Sequence, residues 1–360
     1  MPEERKVRKM SKDAVSANVY QKMMKKITAT NTSLLLTITI VIFVLMYICA
    51  ILFTDGSFDK PQTFLDILNN NACLIILACG MSIVMINGGI DISVGGVVAL
   101  VSMSCAVYLD KQGGSVFGAI VISLLIGLAF GAVQGFLVAY LDIQPFIVTL
   151  AGMFFARGMV TIVCEVPFNV EHEQFVALKD SRIEVPFLGT YNRLGNFIPG
   201  SIEVGVIAAL LVVIILFVIM KWTSLGRSIY AVGGNSQSAM MLGINVRRTK
   251  FLSHLLCGLM AGIGGFVYFL HVGSGSPSHA TGYEMNAIAA AIIGGTMLSG
   301  GVGNIMGAFF GVLSLATIKN IVAAWGLQDA WWTGITVATM ICIFLMIQSI
   351  VSVVRSNKKR

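Results

Sequence analysis

The chain has 360 residues, of which 56% are hydrophobic and only 11% are charged. Soluble domains carry roughly 25% charged residues, and a single water-soluble core could not enclose this much apolar surface. The composition therefore excludes an ordinary soluble enzyme. The formal net charge of +7 is concentrated in a few polar segments, as in the flanks of a membrane protein, and does not indicate nucleic-acid binding.

A hydrophilic arm at residues 1–33 precedes the first apolar run, which begins near Leu34. Its basic residues are Arg5, Lys6, Arg8, Lys9, Lys12, Lys22, Lys25 and Lys26. A secretory signal peptide would place its apolar core earlier and would end in small residues at a cleavage site. We therefore expect a retained first span, with the basic arm on the cytoplasmic side.

Ten apolar segments have the character of membrane-spanning helices, which need about 20 residues each. They lie at residues 34–53, 68–86, 94–109, 116–141, 145–164, 203–222, 250–272, 284–298, 302–322 and 332–354. Two of them, 94–109 and 284–298, are short, and we expect them to be broken, re-entrant or tilted. The sequence thus predicts an all-α polytopic membrane protein with one transmembrane domain at residues 34–354.

Parity and charge predict the orientation of these spans. An even number of spans puts the basic tail at residues 355–360 on the same side of the membrane as the N-terminal arm. The segment 165–202 then lies outside and is net acidic, whereas the loop 223–249 lies inside and is basic. Because cytoplasmic loops carry an excess of Lys and Arg, we expect both termini in the cytoplasm.

Two glycine series repeat every four residues, namely Gly127, Gly131 and Gly135, and Gly303, Gly307 and Gly311. Such a series leaves a smooth strip on one helix face, against which another backbone packs closely. The series occupy the fourth and ninth predicted spans, which are matching places in two five-span halves. Halves with an odd number of spans are inverted relative to each other, an architecture common in transporters.

Two glycine-rich segments, 88–95 and 294–301, share the pattern G-G-x-x-x-S-x-G and interrupt apolar runs. They do not fall at equivalent places in the five-span halves. Glycine-rich breaks at membrane depth indicate a solute path or gate, with ordinary tight turns as the alternative. The candidate residues in these breaks are Gly88, Gly89, Asp91, Ser93, Gly294, Gly295 and Ser299.

Three acidic or amide side chains near the spans are further candidates. Asp91 lies in an apolar neighbourhood, where an ionisable group is costly and is often functional. It has three interpretations: a cap for the following helix, a residue of the solute path, or a proton site. Glu284 and Asn286 begin the eighth predicted span near the outer surface, where they either receive the solute or cap the helix.

The polar stretch 221–250 separates two apolar runs and contains no acidic residue. Its basic residues are Lys221, Arg227, Arg247, Arg248 and Lys250. Ser236 is a predicted N-cap, and Gly243 is a predicted helix end. Between them, Ala239, Met240, Met241 and Leu242 form an apolar patch. The segment is either a docking surface for a soluble partner or a helix resting on lipid headgroups.

Motifs for catalysis and for metal binding are missing from the sequence. The seven cysteines and four histidines show no metal-ligand spacing, and we predict no metal site and no catalytic residue. There is no Walker A, Rossmann or G-x-S-x-G motif, so we predict no cofactor in this chain.

Four motifs together resemble the permease subunits of sugar ABC importers of the ribose, galactose and galactofuranose group. They are GMSIVMINGGIDISVGG (80–96), QPFIVTLAGMFFARG (144–158), SLGRSIYAVGGNSQSAMMLGINVRRTKF (224–251) and TGYEMNAIAAAIIGGTMLSGGVGNIMGAFFG (281–311). The phrases GGNSQSAMMLGI and DAWWTGI are most similar to galactofuranose-type members. With the intervening spans, the resemblance covers nearly all of the chain from about residue 34.

The resemblance implies a pathway for monosaccharide uptake across the bacterial cytoplasmic membrane. It implies an ABC ATPase carrying ATP and Mg²⁺, an extracytoplasmic sugar-binding protein, and a second permease chain in a homodimer or heterodimer within membrane lipid. The family's coupling helix, which contacts the ATPase, corresponds to Ser236–Gly243, flanked by Arg227, Arg247 and Arg248.

Two other functions remain open from the sequence. One is a secondary transporter driven by an ion gradient, with Asp91 as its proton or sodium site. The other is an ABC permease for branched-chain amino acids, which shares much of the fold.

Overall fold

The computed structural model describes residues 31–54, 58–191, 197–326 and 330–358. Most of the predicted basic arm, and the basic side chains of the predicted tail, lie outside the described residues. The helices are α1 (Asn31–Phe53), α2 (Pro61–Ile86), α3 (Val94–Ala106), α4 (Val116–Tyr140), α5 (Pro145–Val163), α6 (Glu173–Asp180), α7 (Val204–Trp222), α8 (Ser224–Gly234), α9 (Ser236–Met241), α10 (Val246–Val272), α11 (Tyr283–Ile293), α12 (Ile305–Ala324) and α13 (Ala330–Lys358).

Each of the ten predicted spans coincides with a helix. Within the described residues, eight helices are long and apolar enough to cross a membrane. Helix α3 is one of them because a π-helical turn, Val107–Lys111, extends it to 18 residues. Helix α11 has only 11 residues, or about 16 Å, and is shorter than the hydrocarbon core of about 30 Å.

The all-α prediction is incomplete in the segment 165–202. Besides α6, this segment contains strand β1 (Phe168–Asn169), strand β2 (Arg182–Tyr191) and most of strand β3 (Phe197–Glu203). Strands β2 and β3 pair antiparallel with an irregularity between Val185 and Gly189, and β1 pairs with β4 (Ser274–Gly275). The segment Arg182–Val185 alternates polar and apolar residues, which is the pattern of a half-exposed strand.

Helix α2 lies at the centre of the bundle, and 89% of the residues in its 18-residue apolar stretch are buried. It packs against α7, α10, α11 and α12. Polar side chains on α2 find partners within the bundle, as when Gln62 and Asn69 bind the backbone of β3. The central position of α2 matters for function because its C-terminal end leads directly into the first glycine-rich break.

Both predicted glycine strips form close helix contacts. A Cβ atom on Gly131 of α4 would lie 2.8 Å from the His254 carbonyl oxygen and 3.1 Å from Gly258 Cα, both on α10. A Cβ atom on Gly311 of α12 would overlap the Ala290 carbonyl oxygen of α11, and one on Gly307 would overlap the carbonyl oxygen of Gly294, the residue after α11. Gly303 lies before α12, which begins at Ile305, so its predicted place in the helical strip is wrong. Because backbones touch at these places, the glycines fix the distance between the helices.

Candidate functional site

The predicted coupling segment folds as two short helices, α8 and α9, joined by Asn235. Three N-caps define the segment. Thr223 Oγ1 accepts the Gly226 N–H at 3.3 Å, Asn235 Oδ1 accepts the Ser238 N–H at 2.9 Å, and Asn245 Oδ1 accepts the Arg248 N–H at 2.9 Å. The predicted cap at Ser236 is wrong by one residue, because Asn235 is the cap and Ser236 is the first helical residue.

Gly243 ends this segment as the sequence predicts. Its φ is +81°, a conformation that favours glycine, and its N–H donates to the Met240 carbonyl at 3.0 Å. The chain thereby turns towards Asn245, where α10 begins. The two helices are therefore a defined element with a cap at each start and a glycine at the end.

The apolar patch of the coupling segment divides into an exposed and a buried part. Met240, Met241 and Leu242 are 63%, 86% and 80% exposed, whereas Ala239 is only 2% exposed and packs inward. The prediction that all four residues form one contact surface is thus wrong for Ala239. Arg227 on α8 and Arg247 at the start of α10 are also exposed. An exposed apolar cluster with basic neighbours is typical of an interaction surface.

The first break, residues 87–93, is enclosed by α4, α5 and α10. Asn87 Nδ2 donates to Ser253 Oγ at 2.8 Å, and Thr149 Oγ1 donates to the Ile90 carbonyl at 3.2 Å. Gly88 has a φ of +87° and lets the chain leave α2, while Gly89 packs near His254. Enclosure by protein is the condition under which irregular backbone is tolerated at membrane depth.

Asp91 is 1% exposed and is held inside this break. Its Oδ1 accepts the Ser93 N–H at 3.0 Å and the Ser93 hydroxyl at 2.6 Å. Ser93 Oγ also lies 3.2 Å from Gln134 Oε1 on α4. These contacts close a turn at Ser93, the residue before α3, but no side chain caps α3 itself, so the interpretation of Asp91 as a helix cap is wrong. Its roles in the solute path and as a proton site stay predictions.

The second break, residues 294–304, repeats the geometry of the first with an offset of one residue. In the first, Asn87 follows α2 and Gly88 has φ +87°; in the second, Gly294 follows α11 and Gly295 has φ +86°. The following N–H groups, of Gly89 and Thr296, each donate a hydrogen bond to the carbonyl five residues earlier in the chain. The structural match therefore pairs Gly88 with Gly295, whereas the shared sequence pattern pairs it with Gly294.

The two breaks meet each other beside the C-terminal end of α8. The Gly301 N–H donates to the Ile86 carbonyl at 2.8 Å, and Ser82 Oγ lies 3.3 Å from Thr296 Oγ1. Ser299, in contrast, is exposed. The second break therefore lies against Gly88 and the end of α2 through Gly300, Gly301 and Thr296. The candidates Gly294 and Gly295 instead pack near Gly307 and Leu35.

Glu284 is buried inside the bundle. It is 9% exposed, and a Cβ atom on Gly95 of α3 would overlap its carboxylate. Glu284 therefore packs against the start of α3, and its position near the outer surface stays a prediction. Asn286 Oδ1, two residues further along α11, accepts a hydrogen bond from the Lys319 ammonium of α12 at 3.1 Å. The loop before α11 folds inward because Arg157 binds the carbonyls of His279 and Ala280.

Four residues near the breaks escaped the sequence-based search for functional residues. Gln134 and Lys319 are polar interruptions of apolar helices, a signal that the sequence does carry. Tyr230 and Gly233 lie within the basic loop and carry no such signal. Their role becomes visible only from contacts with residues far away in the chain.

The fold and the site together define a multi-pass membrane protein with a surface helix pair joined to internal breaks. Residues 63–344 match the family described as the permease component of the branched-chain amino acid transport system, and the chain belongs to this family of ABC transporter permeases. No solved structure matches the chain.

Curated relatives cover most of the chain. It is 35% identical over 324 residues to the inner membrane ABC transporter permease protein YjfF of Escherichia coli (strain K12), covering 90% of this chain and 94% of that protein. It is 34% identical over 324 residues to the fructose import permease protein FruG of Bifidobacterium longum (strain NCC 2705), covering 89% and 92%. It is 33% identical over 281 residues to the ribose import permease protein RbsC of E. coli (strain K12), covering 77% and 83%.

Proposed function

We propose that this chain forms the membrane pathway of an ATP-driven importer of monosaccharides. The observation that carries the proposal is the capped, exposed helix pair α8–α9, whose base touches the end of α2 and the second break. A soluble motor that docks there acts directly on the interior of the bundle. Relatives named for fructose and ribose import support a monosaccharide as the solute.

The proposed partners follow from the chemistry of the two faces. An ABC ATPase, which holds ATP and Mg²⁺, binds Met240, Met241 and Leu242 with Arg227 and Arg247 at the rim. A sugar-binding protein approaches the opposite face, where the segment 165–202 lies. A second permease chain, identical or related, completes the pathway within the lipid of the bacterial cytoplasmic membrane.

We further propose ten spans in two inverted halves, with both termini in the cytoplasm. Two packing relations support this arrangement. The fourth span, α4, packs on the seventh, α10, and correspondingly the ninth, α12, packs on the second, α2. Gly95 is the second residue of the third span, α3, and Glu284 is the second residue of the eighth span, α11. These two residues touch each other. Equivalent residues touch where a twofold axis passes between the halves, so this contact supports the inverted arrangement.

Two alternative functions are less well supported. The family description mentions branched-chain amino acids, but two of the relatives reported above are named for sugar import. A secondary transporter would use Asp91 as an ion site, yet Asp91 Oδ1 is occupied by Ser93. This contact gives the carboxylate a structural role in the turn before α3.

Uptake competition separates sugar import from amino acid import. We compare cells with and without the chain for uptake of labelled D-ribose, D-fructose, D-galactose and L-leucine. We expect chain-dependent uptake of at least one sugar, and no reduction of that uptake by excess leucine. Chain-dependent uptake of leucine without any sugar uptake would contradict the proposal.

A further inference from the structure

At Gly233, the C-terminal end of α8 lies backbone against backbone on the end of α2. A Cβ atom built on Gly233 would overlap the carbonyl oxygen of Ile86, the last residue of α2, and would lie 2.8 Å from the Gly301 nitrogen. The neighbouring Gly234 differs sharply, since a Cβ atom there would meet nothing within 4 Å. Of these two adjacent residues, only Gly233 must be glycine, because a side chain there would clash with neighbouring backbone.

The second break crosses the same point. A Cβ atom on Gly300 would lie 2.7 Å from the Gly233 carbonyl oxygen and 3.1 Å from Gly88 Cα. Gly300 and Gly301 have φ values of +83° and +72°, which side chains rarely allow. We call the contact set of Gly88, Gly233, Gly300 and Gly301 the glycine junction. It joins α8, the first break and the second break without an intervening side chain.

A second link lies one turn earlier on α8. The Tyr230 hydroxyl donates to the Gly303 carbonyl at 2.8 Å, in the chain just before α12. Burial raises the pKa of Tyr230 to about 12, so the hydroxyl keeps its proton at physiological pH. Tyr230 therefore ties α8 to the second break through a hydrogen bond that persists across the working pH range.

We propose that Gly233 and Tyr230 are positioning residues that make both breaks move together with α8. The inference rests on the proposed function, because it assumes that a motor displaces the α8–α9 pair. Side chains absorb small displacements by changing rotamers, whereas touching backbones do not. A displacement of α8 is therefore passed to the end of α2 and to the α11–α12 connection at the same time.

The test measures sugar transported per ATP hydrolysed. The full chain is reconstituted with its co-purified ATPase and its binding protein, using whichever of D-ribose, D-fructose or D-galactose the unaltered complex transports. We compare Gly233→Ala, with Gly234→Ala as its matched control, and Tyr230→Phe. We expect the ratio to fall about tenfold in Gly233→Ala, from overpacking, and about fivefold in Tyr230→Phe, from the unpaired carbonyl. Gly234→Ala should keep the original ratio.

The outcomes distinguish this inference from the proposed function. If the unaltered complex shows no ATP-driven uptake, the proposed function itself fails. If it does, and Tyr230→Phe keeps the full ratio, the positioning role is overturned. This holds whether Gly233→Ala behaves like Gly234→Ala or merely lowers the amount of complex. A lowered ratio in Tyr230→Phe, with an unchanged amount of complex, supports the inference even where Gly233→Ala does not assemble.

Discussion

Met241→Asp releases the chain from its ATPase while leaving the chain in the membrane. Met241 is 86% exposed at the end of α9, so a carboxylate there is solvated and does not disturb the fold. In a docked complex, the same carboxylate would be buried in an apolar contact without a partner, which is costly. Because hot-spot residues contribute at least about 2 kcal/mol to binding, we expect retention of the ATPase to fall more than about tenfold.

The measurement is the amount of ATPase that co-purifies with the chain, normalised to the chain itself. Met241→Leu is the matched control, because it preserves an apolar side chain of similar volume and should retain the ATPase. Ala239→Asp is unsuitable as a probe, since Ala239 is buried and the charge would destabilise α9 itself. If Met241→Asp retains as much ATPase as Met241→Leu, then α9 rests on lipid headgroups or solvent and is not the docking surface.

Gly258→Ala is expected to give the largest loss of stability. A Cβ atom on Gly258 of α10 would overlap the Gly127 carbonyl oxygen and would lie 2.6 Å from Gly131 Cα on α4. Both neighbours are backbone, so the helices must separate to make room. Overpacking of this kind costs about 1–3 kcal/mol in the free energy of unfolding. Thermal unfolding of the purified chain in detergent measures the difference.

Gly158→Ala in α5 is the matched control for this substitution. A Cβ atom there would meet nothing within 4 Å, and alanine is preferred over glycine inside a helix by about 1 kcal/mol. We therefore expect opposite signs, with Gly158→Ala neutral or stabilising and Gly258→Ala destabilising. Equal stability of the two variants would show that the α4–α10 contact does not hold the bundle together.

The sequence predicts the helices well because apolar length is a local property. All ten predicted segments overlap helices, although only eight helices within the described residues are long and apolar enough to cross a membrane. The glycines of the two strips lie in helices except Gly303, which precedes α12. The start of the coupling segment is misplaced by one residue, since Asn235 and Ser236 are both good caps and only the backbone conformation decides between them. The hairpin Arg182–Glu203 is missed because a span-based analysis treats everything between spans as a loop.

The internal geometry of the site depends on contacts that the sequence pattern does not encode. The shared G-G pattern suggests an alignment of the two breaks, but the positive φ falls on Gly88 and Gly295, one residue out of register. Ala239 belongs to an apolar run, and only the packing of α9 against its neighbours shows that it faces inward. The junction at Gly233 joins three distant stretches of chain, so no local pattern could reveal it.

The central claim is that a separate ATPase drives this chain by moving α8 and α9. Its most direct test is uptake into proteoliposomes against a sugar gradient, with the chain alone and with its ATPase and binding protein. We predict uphill uptake of D-ribose, D-fructose or D-galactose only when the ATPase, the binding protein and ATP are all present. Uphill uptake by the chain alone, driven by a proton or sodium gradient, would contradict the account.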